Sequence, residues 1–255
     1  MARKSHGAST ILAHRVVSDQ PDRDLPEAFM LNQLPAPEGL IFDLDGTLVD
    51  TVGARIDGWL EALAGNGIPA DRQEIGPMIG MDGKELARRT AQASGRTLTE
   101  DEVEQIDSAA GEAFDRHNRS PRPLPGVQQL LSDLDSVGLP WVIATSSRAE
   151  QVQRSVAALR LEKPPTIVDG SQVKRAKPEP DLLLLASRRL GVPPASCWAV
   201  GDSTWDMRAA TAAGTIGVGV TAGAAVSANA LRDAGARLVV GTLDELAEIL
   251  GAARS

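Results

Sequence analysis

Cysteine, histidine and long apolar runs are all scarce in this chain, and each shortage closes off a class of answer. There is one cysteine among 255 residues, Cys197, so no internal disulfide can form and a reducing cytoplasm is the expected setting. It lies in the apolar run Cys197-Trp198-Ala199-Val200, which makes it a core side chain before a reactive thiol. The three histidines are His6 and His14 near the start and His117 far along the chain, so no zinc-binding set is in prospect. No apolar stretch approaches bilayer length: Leu182 to Leu185 is followed by Arg188 and Arg189. An excess of positive charge is also missing. A formal net charge of −8 argues against a nucleic-acid surface, and neither a membrane nor a nucleic acid is an expected partner. The length suits one large domain, or a core with a smaller accessory domain. Oligomeric state is left open, because interface patches are not legible in a sequence.

Residues 1–38 read differently from the rest. Up to Ser18 there are Arg3, Lys4 and Arg15 and no acid; Pro21, Pro26, Pro35 and Pro37 then lead to Gly39. The segment has no secretory h-region, so a mobile N-terminal extension, or a start at Met30, is expected ahead of an organellar targeting segment.

From Gly39 onward short apolar runs alternate with helical periodicity. Strands are expected at Leu40–Phe42, Trp141–Ala144, Thr166–Val168, Trp198–Val200 and Ile216–Val218. Helices are expected at 127–137, 149–159, 181–190 and 205–213. This alternation predicts an α/β fold, a doubly wound parallel sheet of Rossmann-like kind. One interval breaks the rhythm, since nearly a hundred residues of helical character separate the first two strands. That is too long for one crossover helix. Helices at about 52–63, 84–93 and 100–118 predict an inserted helical domain over 51–120, with the core formed by 39–50 and 121–255.

Asp43-Leu44-Asp45-Gly46-Thr47 follows the first strand directly. Alternate residues of an extended segment face one side, so both carboxylates can reach one site, and Gly46 permits the turn beyond. One acid can then attack as nucleophile while the other carries protons. The plainer alternative is a capping or turn sequence. Three further polar sites also follow strands: Thr145, Lys177 in Lys177-Pro178-Glu179-Pro180-Asp181, and Asp202 with Asp206 one helical turn on. Open parallel sheets bind ligands beyond the carboxyl ends of their strands. Carboxylates without histidine favour a hard cation, and Mg2+ suits oxygen ligands beside phosphate.

With these four motifs in this order, the chain resembles the haloacid dehalogenase superfamily in its phosphatase branch with an α-helical cap, near phosphoglycolate phosphatases and β-phosphoglucomutases. The likeness covers roughly residues 39–250. It implies a magnesium-dependent phosphatase acting on a small phosphorylated metabolite, a phosphoglycolate- or sugar-phosphate-like monoester, through an aspartyl-phosphate. Asp43 would be nucleophile and metal ligand, and Asp45 would be the acid–base residue, its backbone carbonyl also on the metal. Thr145 and Lys177 would hold phosphoryl oxygens, Asp202 would complete the metal ligands, and Asp206 would orient a metal-bound water or Lys177. Family dehalogenases carry tyrosine and phosphonatases alanine at the Asp45 position, which disfavours both. Mutase-like members usually have Glu-Asp at Gly201-Asp202, which tilts towards a phosphatase while leaving a sugar-phosphate mutase open. A non-catalytic protein of the fold would be expected to lose one of the motif acids or the lysine.

Candidates for substrate choice are Arg55 and Trp59, on one helix face; Lys84, in a loop resembling the cap specificity loop; and Ser146, Ser147 and Arg148 after Thr145. Arg55 is a candidate grip for a carboxylate or second phosphate, and Ser147 with Arg148 for a distal phosphate. The plainer readings are a surface arginine, a core tryptophan, a solvated lysine and a serine helix cap. Arg88 and Arg89 read as an exposed face. Hinges are expected at 46–50 and 120–126.

Overall fold

The computed structural model describes residues 34–252. Six strands form one wholly parallel sheet: β1 (Gly39–Phe42), β2 (Trp141–Ala144), β3 (Ile167–Val168), β4 (Cys197–Gly201), β5 (Ile216–Val220) and β6 (Leu238–Val240), in the order β3-β2-β1-β4-β5-β6. The chain builds outward from β1 through β2 to β3, then crosses back to lay β4 against the other side of β1. The order therefore reverses between β1 and β4, where a crevice opens beyond the strand ends. Near-continuous burial of β1 and β4 fits strands covered on both faces. Helices α5 (Val127–Ser136), α6 (Ala149–Ala158), α7 (Asp181–Leu190), α8 (Thr204–Ala213), α9 (Ala228–Asp233) and α10 (Leu243–Ala252) complete the core.

The long interval is helical, as its periodicity predicts. It contains α1 (Val52–Gly65), the single turn α2 (Arg72–Ile75) running into a 3-10 turn at Gly76–Met78, α3 (Gly83–Ala93) and α4 (Glu100–His117). Local chemistry accounts for these bounds. Asp71 and Thr99 form capping boxes with Glu74 and Glu102, and the Asp82 side chain accepts the Glu85 N–H. Helix α4 opens on three acids and closes on Arg116 and His117, both matched to the helix dipole. Helices α1 and α4 approach closely because Gly58 carries no Cβ: one would stand 2.8 Å from the Phe114 amide nitrogen. Ile56, Trp59, Leu63, Ile75, Leu86 and Ala110 form the apolar centre of this insert, which also takes in Trp205 from α8.

Three differences from the sequence-based expectations stand out. Residues 35–38 are fastened to the core rather than part of an extension, since Trp198 Nε1 donates to the Pro35 carbonyl at 3.1 Å and Glu38 N–H to Ser196 O at 2.9 Å. The expectations for residues 1–33, including a start at Met30, lie outside the described residues. Strand β6 and helices α9 and α10 went unread: β6 is three residues long and shows neither alternation nor a long run. The expected hinges are also paired with each other: Asp50 N–H donates to Arg122 O at 2.9 Å and Leu124 N–H to Leu48 O at 3.0 Å, so both linkers run as one short ribbon.

Candidate active site

Sheet register sets the site. Phe42 is level with Ile143 and with Val200, so the residues after β1, β2 and β4 emerge at one height. The Asp43 amide donates to Val200 O at 2.8 Å and the Thr145 amide to Val168 O at 2.9 Å, which continues the ladder into the site. Asp43, Thr145, Lys177, Asp202 and Asp206 are all buried here.

Lys177 is the centre of the arrangement and only 1% exposed. Its Nζ donates to Asp43 Oδ1, to the Ala144 carbonyl at 2.9 Å and to Asp206 Oδ1 at 2.7 Å. Burial works against its charge, but Asp206 and Asp43 outweigh that and hold its pKa above the ordinary lysine value. Asp206 is in turn fixed by helix capping, as Oδ2 accepts from Ser203 N at 3.0 Å and Ser203 Oγ at 2.5 Å. Asp202 Oδ1 accepts from Thr47 Oγ1 at 2.9 Å, and Gly46 makes room for its other oxygen, which a Cβ there would strike. Burial, with the charges of Asp206 and Asp43, pushes the Asp202 carboxyl well above its ordinary pKa. Burial likewise raises Asp43 to about 7, despite Lys177.

Carboxylate oxygens of Asp43, Asp202 and Asp206 lie within 4.8 Å of one another. Three buried acids share one lysine, so negative charge is in excess and every donor atom is a hard oxygen. That composition fits a divalent cation of the magnesium class.

Asp45 is held differently. Its Oδ1 accepts from Thr51 Oγ1 at 2.7 Å, while Oδ2 accepts from Arg55 Nη2 at 2.6 Å, Arg55 Nε at 3.1 Å and Ser147 Oγ at 3.1 Å. The Arg55 guanidinium lies 3.5 Å from the centre of the Phe114 ring. Arg55 is thus engaged with the site's own carboxylate, and Ser147 with Asp45 and Arg55 rather than with a helix N-terminus, where Arg148 stands instead.

A cavity of about 550 Å3 extends from these residues between insert and core, and Trp59, Lys84, Ser146, Ser147 and Arg148 all line it. Trp59 is part of the insert's apolar cluster, Ser146 Oγ donates to the Gly80 carbonyl at 3.0 Å, and Lys84 pairs with Glu104 at 2.6 Å. Arg88 and Arg89 pair with Glu100 and Glu85 on the insert surface. The insert loop 77–82 is tied to the core at three points, one on helix α8 and two on loops: Trp205 Nε1 donates to Pro77 O at 2.8 Å, Ser146 reaches Gly80, and Asp82 N–H donates to Lys177 O at 3.0 Å. Thr47, Thr51, Ser203, Phe114, Glu104 and Asp107 were not singled out from sequence. Ser203 alone carried a local signal, the Ser-x-x-Asp spacing of a capping box.

A family model for haloacid dehalogenase-like hydrolases matches residues 37–214. The chain belongs to that family. Among curated proteins it is 31% identical over 194 residues to hexitol phosphatase A of Escherichia coli, covering 72% of this chain and 83% of that one. It is 31% identical over 216 residues to the phosphoglycolate phosphatase of the same species, covering 76% and 84%. Among solved structures, a hydrolase from Pseudomonas syringae superposes with a TM-score of 0.79 at 35% identity, covering 83% of this chain and 98% of that one. A putative β-phosphoglucomutase from Bacteroides vulgatus gives the same TM-score at 22% identity, a likeness of fold. This haloacid dehalogenase-like hydrolase is a phosphatase by its kinship, as the sequence motifs implied. No helix among its described residues is long and apolar enough to cross a membrane.

Proposed function

We propose that the protein hydrolyses a small phosphomonoester through an aspartyl-phosphate on Asp43, with Mg2+ as cofactor. The carrying observation is the buried Lys177 clamped between Asp43 and Asp206, with Asp202 alongside, at the crevice where strand order reverses. Asp43 and Asp202, with the Asp45 backbone carbonyl, are the residues that would hold the ion; when bound it would supply charge neutralisation for the phosphoryl group. Asp206 has both oxygens committed to Lys177 and Ser203, which suits an orienting role.

An Asp43 carboxylate oxygen attacks phosphorus in line as the bond from phosphorus to the ester oxygen breaks, and a proton from Asp45 passes to the leaving oxygen. Asp45 then takes a proton from water, whose oxygen attacks phosphorus and releases phosphate and free Asp43. Lys177 and Thr145 steady the phosphoryl oxygens. Four hydrogen bonds from Thr51, Arg55 and Ser147 fix the Asp45 carboxyl group in place for both steps. The insert acts as a cap over the cleft, and the linker ribbon is its hinge. A sugar-phosphate mutase is the weaker reading, because Arg148, the candidate for a distal phosphate, is held by Glu104 and Asp107 at 2.7 Å each. The lone buried Cys197, pushed up to about 11 chiefly by burial, fits a reducing, cytoplasmic setting.

The test is phosphate release from a panel of phosphomonoesters with magnesium and with EDTA, for wild type and Asp43→Asn. Magnesium-dependent release that disappears in the variant is expected. Folded, metal-bound protein inert on the whole panel would overturn the proposal.

A further inference from the structure

The cavity beyond the phosphate position is lined by charges that already neutralise one another. On the core side, Arg148 Nη2 donates to Glu104 Oε1 and to Asp107 Oδ2, both on insert helix α4 and both at 2.7 Å. On the insert side, Lys84 Nζ lies 2.6 Å from Glu104 Oε2. These four residues form one continuous chain of opposite charges across the cleft. The chain is built in rather than incidental. Asp107 is largely buried, and Gly83 is the residue that admits it, since a Cβ there would collide with Asp107 Oδ1.

Elsewhere in this outer chamber stand Asp82, Glu150 and the exposed Lys174. The chamber thus holds four carboxylates against three cations, and Arg148 and Lys84 are both engaged with carboxylates. Arg55, the candidate for gripping a substrate carboxylate, is spent on Asp45. A substrate carrying a second negative charge would enter a chamber that already holds one carboxylate more than its cations, and would compete with the largely buried Asp107 for Arg148, a costly exchange. A neutral tail of hydroxyl groups has no such difficulty. Hydroxyls donate to Glu104 and Asp107 and accept from Lys84 and Arg148 without breaking the chain. The volume of about 550 Å3 also leaves room for a tail of several carbons.

We infer that the Lys84–Glu104–Arg148–Asp107 chain selects a monophosphate with a neutral, hydroxyl-rich tail and excludes substrates bearing a carboxylate or second phosphate. This rests on the phosphatase reading and narrows its substrate class. The experiment compares kcat/KM for a hexitol 6-phosphate and for the hexonate 6-phosphate of the same configuration, which differ only in the terminal hydroxymethyl or carboxylate. A generic aryl phosphate reports hydrolysis independently. The hexitol ester should be favoured at least about tenfold, mainly through KM. Glu104→Gln, at a half-exposed position, and the double variant with Asp107→Asn should each free a cation and shrink the preference to about threefold or less. Melting curves identify any variant that has failed to fold, and Glu104→Gln then decides alone. Equal or better use of the hexonate ester by wild type would overturn the inference while the phosphatase reading stands. An undiminished preference in folded variants would overturn it too. Inertness on all three compounds would sink the phosphatase reading, and this selectivity with it.

Discussion

Removing the Trp205 indole should loosen the insert from the site more than it unfolds the core. The side chain leaves core helix α8 between Asp202 and Asp206, yet its apolar neighbours belong to the insert, and it is only 6% exposed. A buried tryptophan covers about 150–250 Å2, worth about 4–6 kcal/mol at roughly 25 cal/mol per Å2. Measured tryptophan truncations cost about 3–5 kcal/mol, and the hydrogen bond to Pro77 contributes about 1 kcal/mol of such a loss. If the docked state alone bears about 3 kcal/mol, the docked-to-undocked ratio falls by roughly two orders of magnitude. Trp205→Ala should therefore raise KM at least about tenfold. It should also speed cleavage of the linkers at 46–50 and 120–126 and strip exchange protection from the Asp82 amide, which docks on Lys177 O. Trp205→Phe keeps the ring and loses only the donor, so its KM should lie within about fivefold of wild type. Kinetics, limited proteolysis and amide exchange read these three consequences. A Trp205→Ala protein that melts earlier, yet keeps wild-type KM and Asp82 protection, would show the indole to be mere core filling and refute the docking argument.

Two further outcomes follow from the carboxylates. A carboxyl whose folded pKa exceeds its unfolded value stabilises the fold while protonated, and that contribution is lost as pH rises through the folded pKa. For Asp43 the window runs from its ordinary 3.8 to about 7, so metal-free protein should lose stability across it, by roughly 4 kcal/mol at most, with Asp202 acting in the same sense. Magnesium should restore more stability at pH 8 than at pH 6, because it binds the ionised acids; melting curves with and without metal check this, and a flat metal-free profile would count against it. Separately, Arg55→Lys keeps the charge but loses the fork on Asp45 and the stacking on Phe114. Its kcat should fall about tenfold in steady-state assays, and an unchanged kcat would reduce Arg55 to a docking residue.

The strand-end motifs were legible because each has a local cause. β1, β2 and β4 are buried runs, and parallel register alone brings Asp43, Thr145 and Asp202 to one level. Lys177, in a loop, and Asp206, in the first turn of α8, join them because both segments start from the same edge. The insert was visible as an interval too long for a crossover, and its three longer helices as periodicity; the single turn at Arg72–Ile75, capped by Asp71, was not. β6 was not legible, since Leu238–Val240 is too short to show a period and takes its identity from pairing with β5. The partners of Arg55, Arg148 and Lys84 were not legible either. Arg55 meets Asp45 ten residues away, but Arg148 meets Glu104 and Asp107 more than forty residues upstream, across a cleft whose width no spacing encodes.

By itself, the sequence determined which residues make up the candidate site of this protein: residue types suited to one kind of chemistry, each placed by the end of a strand. Only the tertiary structure decided which cations stay free for a substrate. Charge availability depends on which carboxylate stands within hydrogen-bond reach, and that is set by how the helical insert packs on the core.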